Sequence, residues 1–101
     1  MNDYLFLMHD DAEDTDPTTR GSDWAGYLTM LRKSGHFSGG SAIGTGVCVA
    51  KSRPSKAVTA HLTGYIRVQA ASMDEAKRLV EGNPVYEAGG TVEIRELPRA
   101  G

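Results

Sequence analysis

Residues 64–82 read GYIRVQAASMDEAKRLVEG, and this stretch decides the fold. From Tyr65 the run alternates, with Ile66, Val68 and Ala70 on one side and Tyr65, Arg67 and Gln69 on the other. That period of two is a strand with one buried face. Ser72-Met73-Asp74-Glu75 then forms a capping box, in which hydroxyl and carboxylate satisfy backbone donors at a helix start. Met73, Ala76, Leu79 and Val80 continue as an apolar stripe, and Gly82 followed by Pro84 ends the helix. A strand of about 59–70 thus runs straight into a helix.

Working outward toward the C-terminus, residues 90–97 read as a last strand. Val92 and Ile94 share one face, Glu93 and Arg95 the other. Toward the N-terminus, 41–51 reads as a strand with Ile43, Thr45, Val47 and Val49 on one face and Gly44, Gly46 and Cys48 on the other. Lys51-Ser52-Arg53-Pro54-Ser55-Lys56 is a basic loop at the tip of the hairpin between them. A helix is expected over 23–34, with Ser22 as N-cap, Asp23 at the positive end of the dipole, and Arg32 and Lys33 in the last turn. Trp24, Tyr27, Leu28 and Leu31 make its stripe, and Gly35 supplies the left-handed stop. The first strand covers 3–9 and is apolar on both faces, as in strands covered from both sides.

The order is β-α-β-β-α-β, a ferredoxin-like α+β fold with both helices on one face of the sheet. Ile66, Val68, Val92, Ile94 and the Val47/Val49 row are expected beneath them. The opposite face then carries Tyr65, Arg67, Gln69, Glu93 and Arg95 together with apolar residues of the first strand. It is too apolar at that strand for water and too charged elsewhere for a simple core. A homodimer joined through its sheets, a dimeric α+β barrel, reconciles the two.

The chain has 101 residues, 40% hydrophobic and 24% charged, with a net charge of −2. This is the size and balance of one soluble globular domain spanning 1–101. The single cysteine, Cys48, excludes an internal disulfide and a cysteine-built zinc site. The longest apolar run, Tyr4 to Met8, is far too short for a membrane span, and no secretory signal is visible. The expected setting is the cytoplasm. The net acidic charge gives no electrostatic match to nucleic acid. Acids crowd into residues 10–16, but EF-hand spacing fails there. Counted from Asp10, the third, sixth and twelfth positions are Ala12, Thr15 and Gly21. No cofactor motif appears. Gly44-Thr45-Gly46 lacks the later glycine, the lysine and the helix of a phosphate loop.

Several features resemble the YCII-related family, and its DGPF-containing branch in particular. They are the first strand ending in a polar loop (Tyr4 to Asp10), Trp24-x-x-Tyr27-Leu28-x-x-Leu31-x-x-x-Gly35, and Gly64-Tyr65. Further on come Asp74-Glu75-Ala76, Asn83-Pro84, Gly89-Gly90 and Val92-Glu93-Ile94-Arg95. The resemblance spans most of residues 3–97 and implies a dimeric α+β barrel. Two departures matter. The Asp-Gly-Pro-Phe segment is absent, its region reading Arg53-Pro54-Ser55-Lys56-Ala57-Val58-Thr59. Relatives outside the branch carry a histidine early in the first helix and an aspartate before the proline after the second, a pair linked to acid–base work. Here those positions hold Trp24 and Asn83, neither of which exchanges a proton near neutral pH, so that chemistry does not carry over.

The remaining chemistry rests on few residues. His9 and His36 are the candidate proton carriers, as imidazoles titrate near neutrality. No HxH or HxxxH spacing joins the histidines, so no metal site is expected. Arg67 and Arg95 are candidate contacts for an anionic ligand, with Tyr65 beside them and Trp24 as a pocket wall. These residues point to a domain binding a small organic molecule in a helix–sheet or barrel cavity, and they leave open whether it catalyses a reaction. The alternative is a non-catalytic dimerisation or protein-interaction module. The resemblance links that alternative to transcription regulation, since family members occur fused or adjacent to sigma factors.

Overall fold

In the computed structural model, Gly35 turns the chain out of the first helix with φ +80, and the next residues enter the sheet at once. The structure describes residues 1–12 and 17–99, and side chains from residue 24 onward within the first helix. The elements are β1 (Asn2–His9), α1 (Pro17–Ser34), β2 (Phe37–Ala42), β3 (Leu62–Ala70), α2 (Met73–Arg78), α3 (Pro84–Glu87) and β4 (Val92–Leu97). The four strands form one antiparallel sheet in the order β2-β3-β1-β4, the ferredoxin-like arrangement.

Register assigns the faces. Tyr4 pairs with Val68, Phe6 with Ile66 and Ile94, and Met8 with Val92, so these side chains share one face. All of them except the β4 pair are buried, together with Tyr27 and Leu31 of α1, Ala76 of α2, and Val80 and Val85. The helices therefore cover this face. On the other, Leu5 pairs with Arg67 and Arg95, and Leu7 with Tyr65 and Glu93. No element among the described residues lies over them. The mixed face expected from the sequence is therefore present.

The structure corrects four expectations. First, α1 begins at Pro17, not residue 23, so Ser22 is not its N-cap and Asp23 is not in its first turn. Proline suits that position because its missing N–H is an orphan there anyway. Second, β2 is Phe37–Ala42, not 41–51. A bulge between Phe37 and Gly40 fits the strand to β3. Gly40 is needed because a Cβ there would stand 2.6 Å from the Tyr65 carbonyl oxygen. Third, the Val47/Val49 row does not lie under the helices: the two side chains are 84% and 89% exposed. The alternation of 43–49 looked like a strand, but β3 already has its partner in 37–42. Fourth, Pro84 does not simply end the second helix. It opens α3, capped by Asn83. Met73 is also partly exposed, leaving Ala76, Leu79 and Val80 as the packed stripe. Glu13, Asp14, Thr15 and Asp16 of the acidic stretch lie outside the described residues.

The capping box forms with one change. Ser72 Oγ accepts the Glu75 N–H at 3.2 Å, while Glu75 Oε1 accepts from Ala71 N at 3.0 Å rather than from Ser72. Asp11 ties the two ends of the sheet loops. Its oxygens accept the Thr91 N–H at 2.8 Å and the Thr91 hydroxyl at 2.7 Å. Those donors, the hydroxyl first, hold the carboxyl below its ordinary value of 3.8. A folded-state value below the unfolded one gives stability that is complete above the unfolded value and lost as pH falls through the folded one. Asp11→Asn keeps an acceptor without the charge. Urea midpoints of wild type and Asp11→Asn are therefore expected to differ by a constant amount above pH 5 and to converge below 3.8. A gap that persists unchanged at the acid end would overturn this.

Candidate functional site

Trp24, Leu28 and Arg32 recur at i, i+4 and i+8 along α1 and so share one flank of the helix. Opposite them stand Phe37 and Gly40 of β2, Gly64 and Ile66 of β3, and Met8 of β1. Between lies a cleft of about 340 Å³, completed by Ser41, Ala42, Thr63 and Tyr65. Its walls are mostly apolar. Trp24 packs edge-on against Tyr27 at 6.0 Å between ring centroids. The Arg32 guanidinium lies 5.1 Å from the Phe37 ring centroid, a cation–π arrangement that keeps cationic N–H donors at the edge of an aromatic wall. Such a slot suits a flat, apolar molecule bearing an oxyanion.

A second constellation lies on the open sheet face. His9 Nε2 is 2.9 Å from Glu93 Oε1, and Glu93 Oε2 is 3.7 Å from the Arg95 guanidinium. The His61 ring is 4.8 Å from that of His9, tilted by 52°. An imidazole hydrogen-bonded to a carboxylate is a competent proton-exchanging pair, and Arg95 places a positive charge beside it.

His36 does not join either group. Its Nδ1 donates to the Gln69 carbonyl at 2.6 Å, with Glu75 Oε1 3.8 Å away. Gln69 pairs with Asp3 of β1 and Leu62 with His9. Six strand positions, roughly 20 Å at the usual rise, therefore separate the two histidines. Of the residues singled out in the sequence, Trp24 lines the cleft, Tyr65 borders it while alternation sends its side chain to the opposite face, and Arg67 and Arg95 stand on that opposite face as well. The sequence reading missed Arg32 and Phe37 as cleft residues. The i+8 spacing from Trp24 was the available signal for Arg32. It also missed the Glu93 partner of His9, which lies 84 positions away and left no signal in spacing.

The Asn83 side chain is fully buried. Its Oδ1 accepts the N–H groups of Val85 at 2.9 Å and Tyr86 at 3.3 Å, and its Nδ2 has no hydrogen-bond partner. Nearby, the Tyr27 hydroxyl donates to the Leu79 carbonyl at 2.8 Å. Burial pushes that phenol up to about 12, opposed by the neighbouring Asn83 amide. This is a buried structural junction of α1, α2 and α3 rather than a proton-transfer site. No cluster of three or more metal-binding side chains occurs among the described residues. No helix among them is long and apolar enough to cross a membrane.

The architecture and cleft are those of a small ferredoxin-like α+β domain. Among solved structures it is similar to 5-chloro-2-hydroxyhydroquinone dehydrochlorinase from Burkholderia phenoliruptrix, determined in complex with 2,5-dihydroxybenzoquinone. The TM-score is 0.60 at 16% identity, covering 97% of this chain and 95% of that one. At that identity the likeness establishes the fold alone. No family model and no curated protein matches the chain.

Proposed function

We propose that this chain is a small-molecule-binding domain that works as a homodimer and takes a planar, oxygen-rich aromatic or quinonoid ligand in the α1–β2 cleft. The observation that carries the reading is the cleft itself, walled by Trp24, Leu28 and Phe37 with the Arg32 guanidinium over one ring. Ligand sites are typically concave, mostly apolar and furnished with a few placed polar groups. The similar solved structure, determined in complex with 2,5-dihydroxybenzoquinone, supports the ligand class by analogy of fold. The mixed face of Leu5, Leu7, Arg67, Glu93 and Arg95 supports the dimer, since a second sheet packed there would cover the leucines and pair the charges. In such a dimer the His9–Glu93 pair faces the interior, where it could serve a modest proton-transfer activity.

The test is a thermal-shift and calorimetric screen with 2,5-dihydroxybenzoquinone, benzoate and phenol on a Cys48→Ser background, because quinones add to thiols. At least one probe is expected to stabilise the parent. Trp24→Ala and Arg32→Ala are each expected to weaken that probe by roughly 10-fold or more, the equivalent of about 1.4 kcal/mol. His36→Ala is expected to leave binding unchanged. No stabilisation by any probe, or equal losses in all three variants, would overturn the cleft as the site.

A non-catalytic interaction module is the second reading, and the exposure of Val47 and Val49 favours it.

A further inference from the structure

Arg32 is the one charged side chain in the lining of the α1–β2 cleft among the described residues. It makes no ion pair with a carboxylate among the described side chains. The Phe37 ring holds its guanidinium at the end of the cleft next to the Gly35 turn. The other polar residues of the lining are engaged or turned away. Ser41 pairs with Tyr65, so both point to the open sheet face. The Thr63 hydroxyl donates to the Met8 carbonyl at 3.4 Å. The cleft therefore offers a ligand one cationic anchor at one end and apolar surface along the rest.

That surface is flat. Ala42 pairs with Gly64 and Gly40 with Ile66, so two glycines and an alanine make up most of the floor below Trp24 and Leu28. A Cβ on Gly64 would stand 3.2 Å from the Ser41 carbonyl oxygen and 3.4 Å from the Met8 methyl group, so a side chain there would crowd the floor.

Size narrows the ligand. An apolar cavity of about 150 Å³ holds a single benzene ring. This cleft, at about 340 Å³, is more than twice as large. Its long direction follows α1. From Trp24 to Arg32 the helix rises about 12 Å. Beneath it, the floor from the Phe37–Val68 pair to the Ala42–Gly64 pair spans about 13 Å of β3. A single ring anchored at Arg32 would leave the Trp24 end unfilled.

We infer that the cleft takes an aryl acid of two fused rings. Its carboxylate meets the Arg32 guanidinium, which suits a planar, two-oxygen partner, and its far ring packs against Trp24 and Leu28. The inference narrows the ligand class proposed above for the same cleft and rests on it.

The test compares 3-hydroxy-2-naphthoate with salicylate, which lacks the second ring, and with 2,3-dihydroxynaphthalene, which lacks the acid. At about pH 6 the two acids are ionised and the diol is neutral. Binding is read by calorimetry and by quenching of Trp24, the sole tryptophan, on the Cys48→Ser background. The naphthoate is expected to bind roughly 10-fold or more tightly than either comparator. Arg32→Gln is expected to bring naphthoate and diol within about 3-fold of each other and to keep the preference for two rings. Trp24→Leu, followed by calorimetry alone, is expected to shrink the gap between naphthoate and salicylate and to keep the preference for the acid. Circular dichroism confirms that both variants fold. Salicylate binding as tightly as the naphthoate overturns the two-ring class, and the diol binding as tightly overturns the acid. So does a folded Arg32→Gln protein that still prefers the naphthoate to the diol as the parent does. If all three compounds fail while 2,5-dihydroxybenzoquinone binds, this inference falls and the cleft stands. If the quinone fails as well, both fall.

Discussion

Phe6→Ala is expected to lower the melting temperature by roughly 15–30 °C, the largest single-site effect in this chain. Phe6 is fully buried at the centre of β1, between Ile66 of β3 and Ile94 of β4 and beneath the helices. Cutting a buried phenylalanine to alanine costs about 3–5 kcal/mol, from lost transfer energy and from the cavity left behind. Small domains hold only about 5–15 kcal/mol in all, so the variant sits near the edge of unfolding. Leu5→Ala, one position away on the open face, removes a similar volume from a half-buried side chain and is expected to cost about 1 kcal/mol in an isolated subunit. Differential scanning calorimetry of the two variants reads the contrast directly. Equal losses at concentrations where sedimentation shows a single subunit would mean that the face assignment, and with it the cleft behind Met8, is wrong.

The second large effect is expected at Asn83. Asn83→Ala removes the single acceptor that serves the Val85 and Tyr86 N–H groups at the start of α3. Val85 is itself buried, so its amide has no water to turn to. Orphaning a buried donor and losing a helix cap together cost about 2–4 kcal/mol, which is roughly 10–25 °C in melting temperature. Asn83→Ser keeps an acceptor oxygen and is expected to recover part of that loss. Neither change touches the cleft lining, so affinity for the probe that binds the parent is expected to be unaltered in the serine variant. A folded Asn83→Ser protein that loses the probe would instead give this residue a functional role.

These two sites show how differently parts of the chain could be read in advance. Phe6 lies in an apolar run that could only be core, and Ile66, Val68, Ala76 and Leu31 followed from period two or period 3.6 in the same way. The stop at Gly35 and the capping Ser72 were equally plain, because each is a local device whose partner lies within a turn of chain. Asn83 offered no such sign. Asn-Pro after a helix reads as a terminator, and only the buried N–H groups that follow make it a cap. The candidate site divides along the same line. Trp24 as a wall was legible from its stripe. The pairing of His9 with Glu93 and the separation of His36 from both follow from strand register, which no spacing within a segment records.

Residues 43–50 mark the boundary most clearly. Their alternation is real and encodes a preference for strand, but preference does not supply a partner. Phe37 to Ala42 reach β3 first because Gly35 sends the chain there directly, and the bulge between Phe37 and Gly40 completes that fit. The amino-acid order alone determined the βαββαβ succession, the helix face of the sheet and its mixed reverse, since hydrophobic period and turn chemistry act over a few residues. Tertiary structure alone decided which strand sits beside β3, which side chains enclose the cleft and which imidazole meets a carboxylate. Those outcomes depend on competition between distant segments for the same hydrogen-bonding edge, and that competition is settled by the whole packed chain.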